Sequence, residues 1–487
     1  MSRGQRGART VPIADPGPLT AFLRDGAVAW LRGGDGMVGL GEFARLERGQ
    51  DAAAWWREIS QRVRHDDPVG AFGSGPVAFA SFVFDPVHTA AESVAVVPEI
   101  VIGRRRGQAW LTQLVPGDVD LDGLRTRAPR RASPACGDQT GPIGGAEGPA
   151  AEPAGRTPAE AEARLLGRAS SSGPRRAPVT GSAEVRPRLS RAAWEAAVAE
   201  AVARLDDTFT KTVLARAVDV DAAEAIDPHQ LAAWLSNRYQ SCWTYHLDGL
   251  VGATPELLVR LERGLATSRV LAGTIRRSGD GELDLKAARA LTRSSKNLVE
   301  HELAVQSVAQ ALAPHCSAMN VPEAPFVLEL PNVLHLASDI TGVAANTDAL
   351  RLVEALHPSA AVCGTPKDQA RRAIAELEQL DRGRYAGPVG WVGADGAGEF
   401  GIALRCGQLS QDGHRVTLYA GCGIVAGSDP AEEFAETEAK LIPMLEALGV
   451  GAAYRAPVTV SQTKTRFSAT MAATTSQATA RNAGRLA

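Results

Sequence analysis

Three stretches of this sequence carry acids and bases in patterns that could do chemistry. "PAEEFAETEAK" (430–440) sets Glu432, Glu433, Glu436 and Glu438 ahead of Lys440. On a helix opened by Asp429, the residues Glu433, Glu436 and Lys440 fall at i, i+3 and i+7 and share one face. Two carboxylates one turn apart suit a hard divalent cation such as Mg²⁺, which takes oxygen ligands and keeps several waters. The same pattern also serves as a solvated first turn that complements the helix dipole. "SSKNLVEHELAVQSVAQAL" places Glu300 beside His301 in an apolar helical repeat, as a further carboxylate source or as an exposed helix residue. "GLVGATPELLVRLE" puts Glu256 in a Thr-Pro-Glu break between two strands, at a sheet edge, in water or in a site.

Lysine supplies the basic half. Lys211 opens "KTVLARAV", and strand alternation puts it on the face of Val213, Ala215 and Ala217. Burying an ammonium is unfavourable. Burial also lowers a lysine's pKa, which is how lysine becomes a general base near neutral pH. The alternative is a strand-end lysine whose head reaches solvent.

The elements that would position these groups read as follows. "LSRAAWEAAVAEAVARL" offers Ser190 as an N-cap, with Trp194, Val198, Val202 and Leu205 on one helical face. "TYHLDGLVGA" has an Asp-Gly turn between apolar strands, a hairpin signal, and "GWVGADGAGEFGIALRCGQL" repeats it. Thr365-Pro366 and Asp429-Pro430 each read as an N-cap followed by proline at the first helical position. "PVAFASFVFDP" (76–86) and residues 92–115 read as strands and turns. Adjacent hairpins with helices between them predict an α+β fold with largely antiparallel sheets.

By composition, 18–126 and 187–450 read as folded, and 127–186, rich in Pro, Gly and Ala, as a flexible insertion. One short helix is expected near Ala159–Arg168. The tail 451–487 reads as disordered. With 487 residues, 45% of them apolar, the chain can bury a large core. A net charge of −3 predicts no nucleic-acid or membrane partner. Six cysteines without a C-x-x-C pair fit a reducing cytoplasm. No secretory leader or membrane-spanning run is read.

Seven blocks in order carry a resemblance: "KTVLAR" (211–216), "LVGATPELLVR" (250–260), "LAGTIRR" (271–277), "KNLVEHELAV" (296–305), "LHPSAAVCGTPKDQA" (356–370), "DRGRYAGPVGWVGADGAGEFGIALR" (381–405) and "YAGCGIVAGSDPAEEFAETEAK" (419–440). The chain from about Leu189 to Leu448 resembles the chorismate-utilising enzymes, and among them the isochorismate synthases. The resemblance implies two large antiparallel sheets packed together with flanking helices, 18–126 belonging to the same fold. It implies Mg²⁺-dependent conversion of chorismate to isochorismate, with water adding at C2 while the C4 hydroxyl departs. By the resemblance Lys211 activates water, Glu256 protonates the leaving hydroxyl, and Glu300, Glu433 and Glu436 surround Mg²⁺. Tyr385 and Arg405 match positions for the enolpyruvyl carboxylate, and Lys440 matches a lysine near the ring carboxylate. Gly421 and Gly423 would admit backbone N–H groups to a carboxylate. His335 lines the pocket in similar enzymes.

Within the family, Ala272 stands where aminodeoxychorismate synthases usually carry a lysine nucleophile. Lys211 stands where anthranilate synthase lacks the water-activating lysine. Ala337 and Ala361 match isochorismate synthases, whereas lyase-type relatives, salicylate synthase among them, tend to differ there. Pro366-Lys367 departs toward the lyase-type members, which keeps salicylate synthase as the alternative. No glutaminase subunit is required, and a monomer is expected.

Overall fold

Asp248 and Gly249 both adopt positive φ, 52° and 74°, and close the hairpin between Trp243–Leu247 and Leu250–Thr254. A two-residue turn of this hand matches the twist of its strands. Two long sheets grow from such local units in the computed structural model, which describes residues 6–115 and 183–451. The expected helix near 159–168, the body of the 127–186 segment and the tail 452–487 lie outside the described residues.

The larger sheet has 13 described strands. At one end it runs Ala183–Pro187, Lys211–Ala222, Arg415–Ile424, Cys406–Leu409, Leu250–Thr254 and Trp243–Leu247. It then takes in Val28–Arg32, Asp35–Leu40, Ile100–Arg105, Gln108–Val115, Arg6–Ile13 and Val63–Asp66. The second sheet has ten described strands, with Leu265–Arg276, Leu257–Glu262, Gly398–Ile402 and Pro388–Gly393 as consecutive neighbours at its middle. Pairing is antiparallel almost throughout, and Arg6–Ile13 with Val63–Asp66 is a parallel exception. Residues of the 18–115 stretch join both sheets, so the N-terminal part belongs to the same architecture.

One apolar core lies between the sheets. Trp30, Val101 and Ala215 of the larger sheet join Phe79, Val259, Trp391 and Phe400 of the smaller in a single buried cluster. The outer face of the larger sheet is covered by Pro228–Arg238 and Pro430–Ala447, which contribute Leu231, Leu235, Leu441 and Met444 to a second cluster. Arg191–Arg204 starts at Ser190, whose hydroxyl accepts from Ala193 N at 3.2 Å, and buries Trp194 and Val198.

Three boundaries depart from the sequence reading. The fold begins before residue 18, because Arg6–Ile13 pairs with Gln108–Val115. The segment 127–186 does not remain irregular to its end, because Ala183–Pro187 pairs with the outer half of Lys211–Ala222. Pro366 is the N-cap of Lys367–Leu377 rather than its first residue, and Thr365 belongs to a two-residue strand on Lys211. Asp429 does cap Pro430–Ala447, accepting from Ala431 N and Glu432 N at 2.9 and 3.0 Å.

Candidate active site

The chain passes from one sheet to the other at Pro255 and Glu256, between Leu250–Thr254 and Leu257–Glu262. The proline cannot donate to either ladder, so the break falls there. It leaves Glu256 4% exposed on the wall of a cleft of about 650 Å³ that opens to solvent. Burial pushes the Glu256 carboxyl up to about 8, against the Leu271 backbone N–H and the charges of Lys211, Lys440 and Arg405, which favour ionisation. At neutral pH this group therefore carries a proton.

Lys211 is fully buried. Its Nζ lies 3.3 Å from Glu300 Oε1, an ion-pair distance without hydrogen-bond alignment. The head does not reach solvent, so the strand-end alternative is excluded. Gly423 lies across the ladder from Val213, where a Cβ would collide with Glu300 Oε1 and stand 3.0 Å from Lys211 Cε. The glycine is thus what allows Lys211 and Glu300 to share that stretch of wall. Gly421 has a similar role beside Tyr385, whose hydroxyl would lie 3.1 Å from a Cβ there.

Two more lysine–glutamate pairs follow. Lys296 Nζ donates to Glu433 Oε1 at 2.6 Å, and Lys440 Nζ lies 2.6 Å from Glu436 Oε1 while donating to Gly421 O at 2.8 Å. Glu433 is 2% exposed, and burial followed by the adjacent Glu436 charge raises its pKa against the pull of Lys296. Three carboxylates and three lysines are thus paired one to one.

Arg405 stands on the opposite side with a positive φ of 51°, a strained backbone for a non-glycine residue. Its Nη2 donates to His335 Nε2 at 2.9 Å, and Nδ1 of His335 lies 3.0 Å from Thr274 Oγ1. Burial, then Arg405 and Lys440, hold His335 well below its usual pKa. The ring is neutral, accepts at Nε2 and so donates from Nδ1. Arg405 keeps further donors for a ligand. Tyr385 stacks on Tyr419 at 5.0 Å between centroids.

Glu256, Glu300, His335, Ala361, Tyr385, Arg405, Gly421, Gly423, Glu436 and Lys440 all line the one cleft. Lys211 and Glu433 sit behind that lining, tied to it through Glu300 and next to Glu436. Ala337 is buried in Val333–Ala344 and does not line it. Among the described residues no three His, Cys, Asp or Glu side chains are gathered as metal ligands. Glu300, Glu433 and Glu436 each face a lysine instead. Their donors are nonetheless all carboxylate oxygens, and Glu433 and Glu436 are close enough to repel, so the set fits a hard divalent cation in chemistry.

Sequence reasoning passed over Lys296 and the buried pair Glu378–Arg382. Lys296 lies one turn before Glu300 on Ser295–Leu312, an i, i+4 signal that was available. Arg382 donates to Val362 O and Val213 O, both at 2.8 Å, and Glu378 accepts from Ala215 N at 2.7 Å. The pair pins the Lys211 strand to the turn that carries Ala361. The pair is itself an i, i+4 spacing, but the strand it holds lies too far away in sequence for a local pattern to reveal.

Comparison with known proteins bears on this geometry. The family model described as "Chorismate binding enzyme" matches residues 156–449. The chain belongs to the chorismate-binding enzyme family. A relative, the isochorismate synthase DhbC of Bacillus subtilis, is 39% identical over 267 residues, covering 52% of this chain and 67% of that protein. The salicylate biosynthesis isochorismate synthase of Pseudomonas aeruginosa is also 39% identical, over 264 residues, and the match spans just over half of it, 55%. Among solved structures, MenF, the menaquinone-specific isochorismate synthase of Escherichia coli, superposes with a TM-score of 0.70 at 23% identity, over 92% of this chain and 95% of that one. That likeness shows the chorismate-binding fold. No helix among the described residues is long and apolar enough to cross a membrane.

Proposed function

We infer that this chorismate-binding enzyme is an isochorismate synthase. The observation that carries the reading is Glu256, a carboxyl kept protonated by burial on the wall of a cleft that Arg405 and Lys440 also line. A group that must give a proton to a departing hydroxyl has to hold one at working pH, and a pKa near 8 meets that need.

Chorismate would lie with its enolpyruvyl carboxylate toward Arg405 and Tyr385 and its ring carboxylate toward Lys440 and the Gly421–Gly423 backbone. Lys211 is the base that takes a proton from a water that attacks C2. The ring double bonds shift, the C4–O bond breaks, and Glu256 protonates the departing hydroxyl, which leaves as water. One water enters and one leaves, so the reaction is an isomerisation. His335 is neutral and orients Arg405 without adding charge. Ala272 presents a methyl group on the cleft wall and offers no nucleophile to the ring.

Glu300, Glu433 and Glu436 are the residues that would hold Mg²⁺. Bound there, the ion would neutralise and orient one substrate carboxylate. The reading requires no glutaminase subunit.

The test is incubation with chorismate, Mg²⁺ and ammonium, with products resolved by chromatography. Isochorismate is expected. Anthranilate as the main product would overturn the assignment, and pyruvate released in step with product would reassign the chain to salicylate synthase.

A further inference from the structure

Lys296 is the one charged group of this cluster that the mechanism leaves without a task. It sits in the first turn of Ser295–Leu312, one turn before Glu300 and on its face. Its Nζ is 2.6 Å from Glu433 Oε1, and the other carboxylates acting on it are those of Glu436 and Glu300. Lys211 and Lys440 each pair with one of the three acids, but Lys296 is under the influence of all three. Its side chain is only 29% exposed, and Glu433 beneath it is almost fully buried. A buried carboxylate without a counter-charge is strongly unfavourable, and Lys296 supplies that counter-charge to Glu433 in the absence of metal.

We propose that the Lys296 ammonium is a built-in stand-in for the divalent cation: it holds Glu433 in place between turnovers, and the incoming ion displaces it. The inference rests on Glu300, Glu433 and Glu436 being the metal ligands. A doubly charged ion and an ammonium cannot share one carboxylate oxygen without repulsion. Binding is therefore an exchange, and metal affinity is lowered by the fraction of time that the ammonium occupies Glu433. If that oxygen is free one-tenth of the time, the apparent Kd is raised roughly tenfold. The exchange also gives the site a reason to prefer a double charge, since a monovalent ion gains nothing over the lysine already there.

Two measurements on the full chain test this without reading turnover. In the first, MgCl₂ is titrated calorimetrically at pH 8 into the wild type, Lys296→Gln and Lys296→Arg. Lys296→Gln should bind roughly tenfold tighter, melt lower without Mg²⁺ and gain more in Tm when it is added. Lys296→Arg keeps the charge and should stay near the wild type. Equal or weaker binding by Lys296→Gln, with the wild type binding normally, would overturn the exchange while leaving the metal site standing. No binding by any of the three proteins would overturn both.

The second measurement needs no variant to fold. Wild-type protein is acetylated with an amine reagent across the same Mg²⁺ series, and labelling is read by mass spectrometry. Lys296 should become several-fold more reactive as Mg²⁺ saturates, while Lys286, already 66% exposed, provides a constant reference. Unchanged labelling of Lys296 in a protein shown to bind Mg²⁺ would end the proposal.

Discussion

Glu256 and Glu399 are both buried carboxyls, close together in the fold, and their surroundings are opposite. Glu399 Oε1 accepts from Trp30 Nε1 at 3.0 Å and Trp243 Nε1 at 2.7 Å, and Oε2 accepts from Arg260 Nε at 2.6 Å. The tryptophans belong to the larger sheet, and Arg260 and Glu399 are register partners in the smaller. Glu399 thus ties the sheets together through three hydrogen bonds, with both oxygens engaged. Glu256 lies just before the strand that carries Arg260, where the chain itself changes sheet. It has a backbone N–H from Leu271 and only more distant positive charges. One carboxyl is given partners and becomes a fastener. The other is denied them and keeps a proton.

Breaking this contrast gives the largest expected effect. Glu256→Gln should lower turnover in both directions by ~10²–10⁴-fold, the usual contribution of a general acid. It should also stabilise the fold at alkaline pH. The folded-state pKa of Glu256 is raised from 4.5 to about 8. The stability associated with its protonated form is therefore whole below the unfolded value and is lost as pH rises toward 8. Glutamine removes that loss, so melts at pH 5 and pH 8 should converge in the variant. A variant that melts lower than the wild type at pH 8 would place Glu256 with Glu399 as a structural group. For the same reason wild-type kcat/KM should fall as pH rises past about 8.

Lys211→Ala tests the basic partner. It should cost turnover in the same range, ~10²–10⁴-fold, measured from chorismate and from isochorismate. Near-normal rates in either direction would show that water is activated elsewhere. Glu436→Gln and Glu300→Gln come next and should raise the Mg²⁺ concentration for half-maximal activity by at least roughly tenfold. Unaltered titrations would leave both as simple lysine partners. Glu399→Gln is the smallest expected effect. It should lower stability by about 1–3 kcal/mol, as one side of a satisfied buried network is weakened, with turnover per folded molecule retained. Equilibrium denaturation beside an activity assay separates the two.

What the sequence showed and what it hid divide by distance along the chain. The Asp248-Gly249 hairpin, the Ser190 cap and the Asp429-Pro430 helix start depend on residues a few positions apart, and they stand where the sequence put them. The shared face of Glu433, Glu436 and Lys440 is likewise local. The strands Arg6–Ile13 and Ala183–Pro187, toward opposite ends of the larger sheet, were hidden because their partners, not their composition, make them strands. The pairing of Glu433 and Glu300 with lysines was hidden for the same reason: Lys296 and Glu433 are 137 residues apart, and Lys211 and Glu300 lie on separate elements, whereas Glu436 and Lys440 share one helix face. The burial of Glu256 follows from two sheets closing over a turn, and a Thr-Pro-Glu sequence by itself fits water equally well.

The one-to-one pairing of three lysines with three glutamates bears on how a dianion arrives. Such a cluster projects little field into solvent, because each positive charge is masked by a neighbour within ion-pair distance. Arg405 adds one net positive charge, and it is buried to 9% exposure and paired with a neutral histidine. The chain as a whole is slightly acidic. Among the described residues this site projects little to draw anions in from a distance, so encounter should vary only weakly with ionic strength. Discrimination among small aromatic and cyclic acids then happens inside the cleft, after arrival, where a second carboxylate either finds its place or does not.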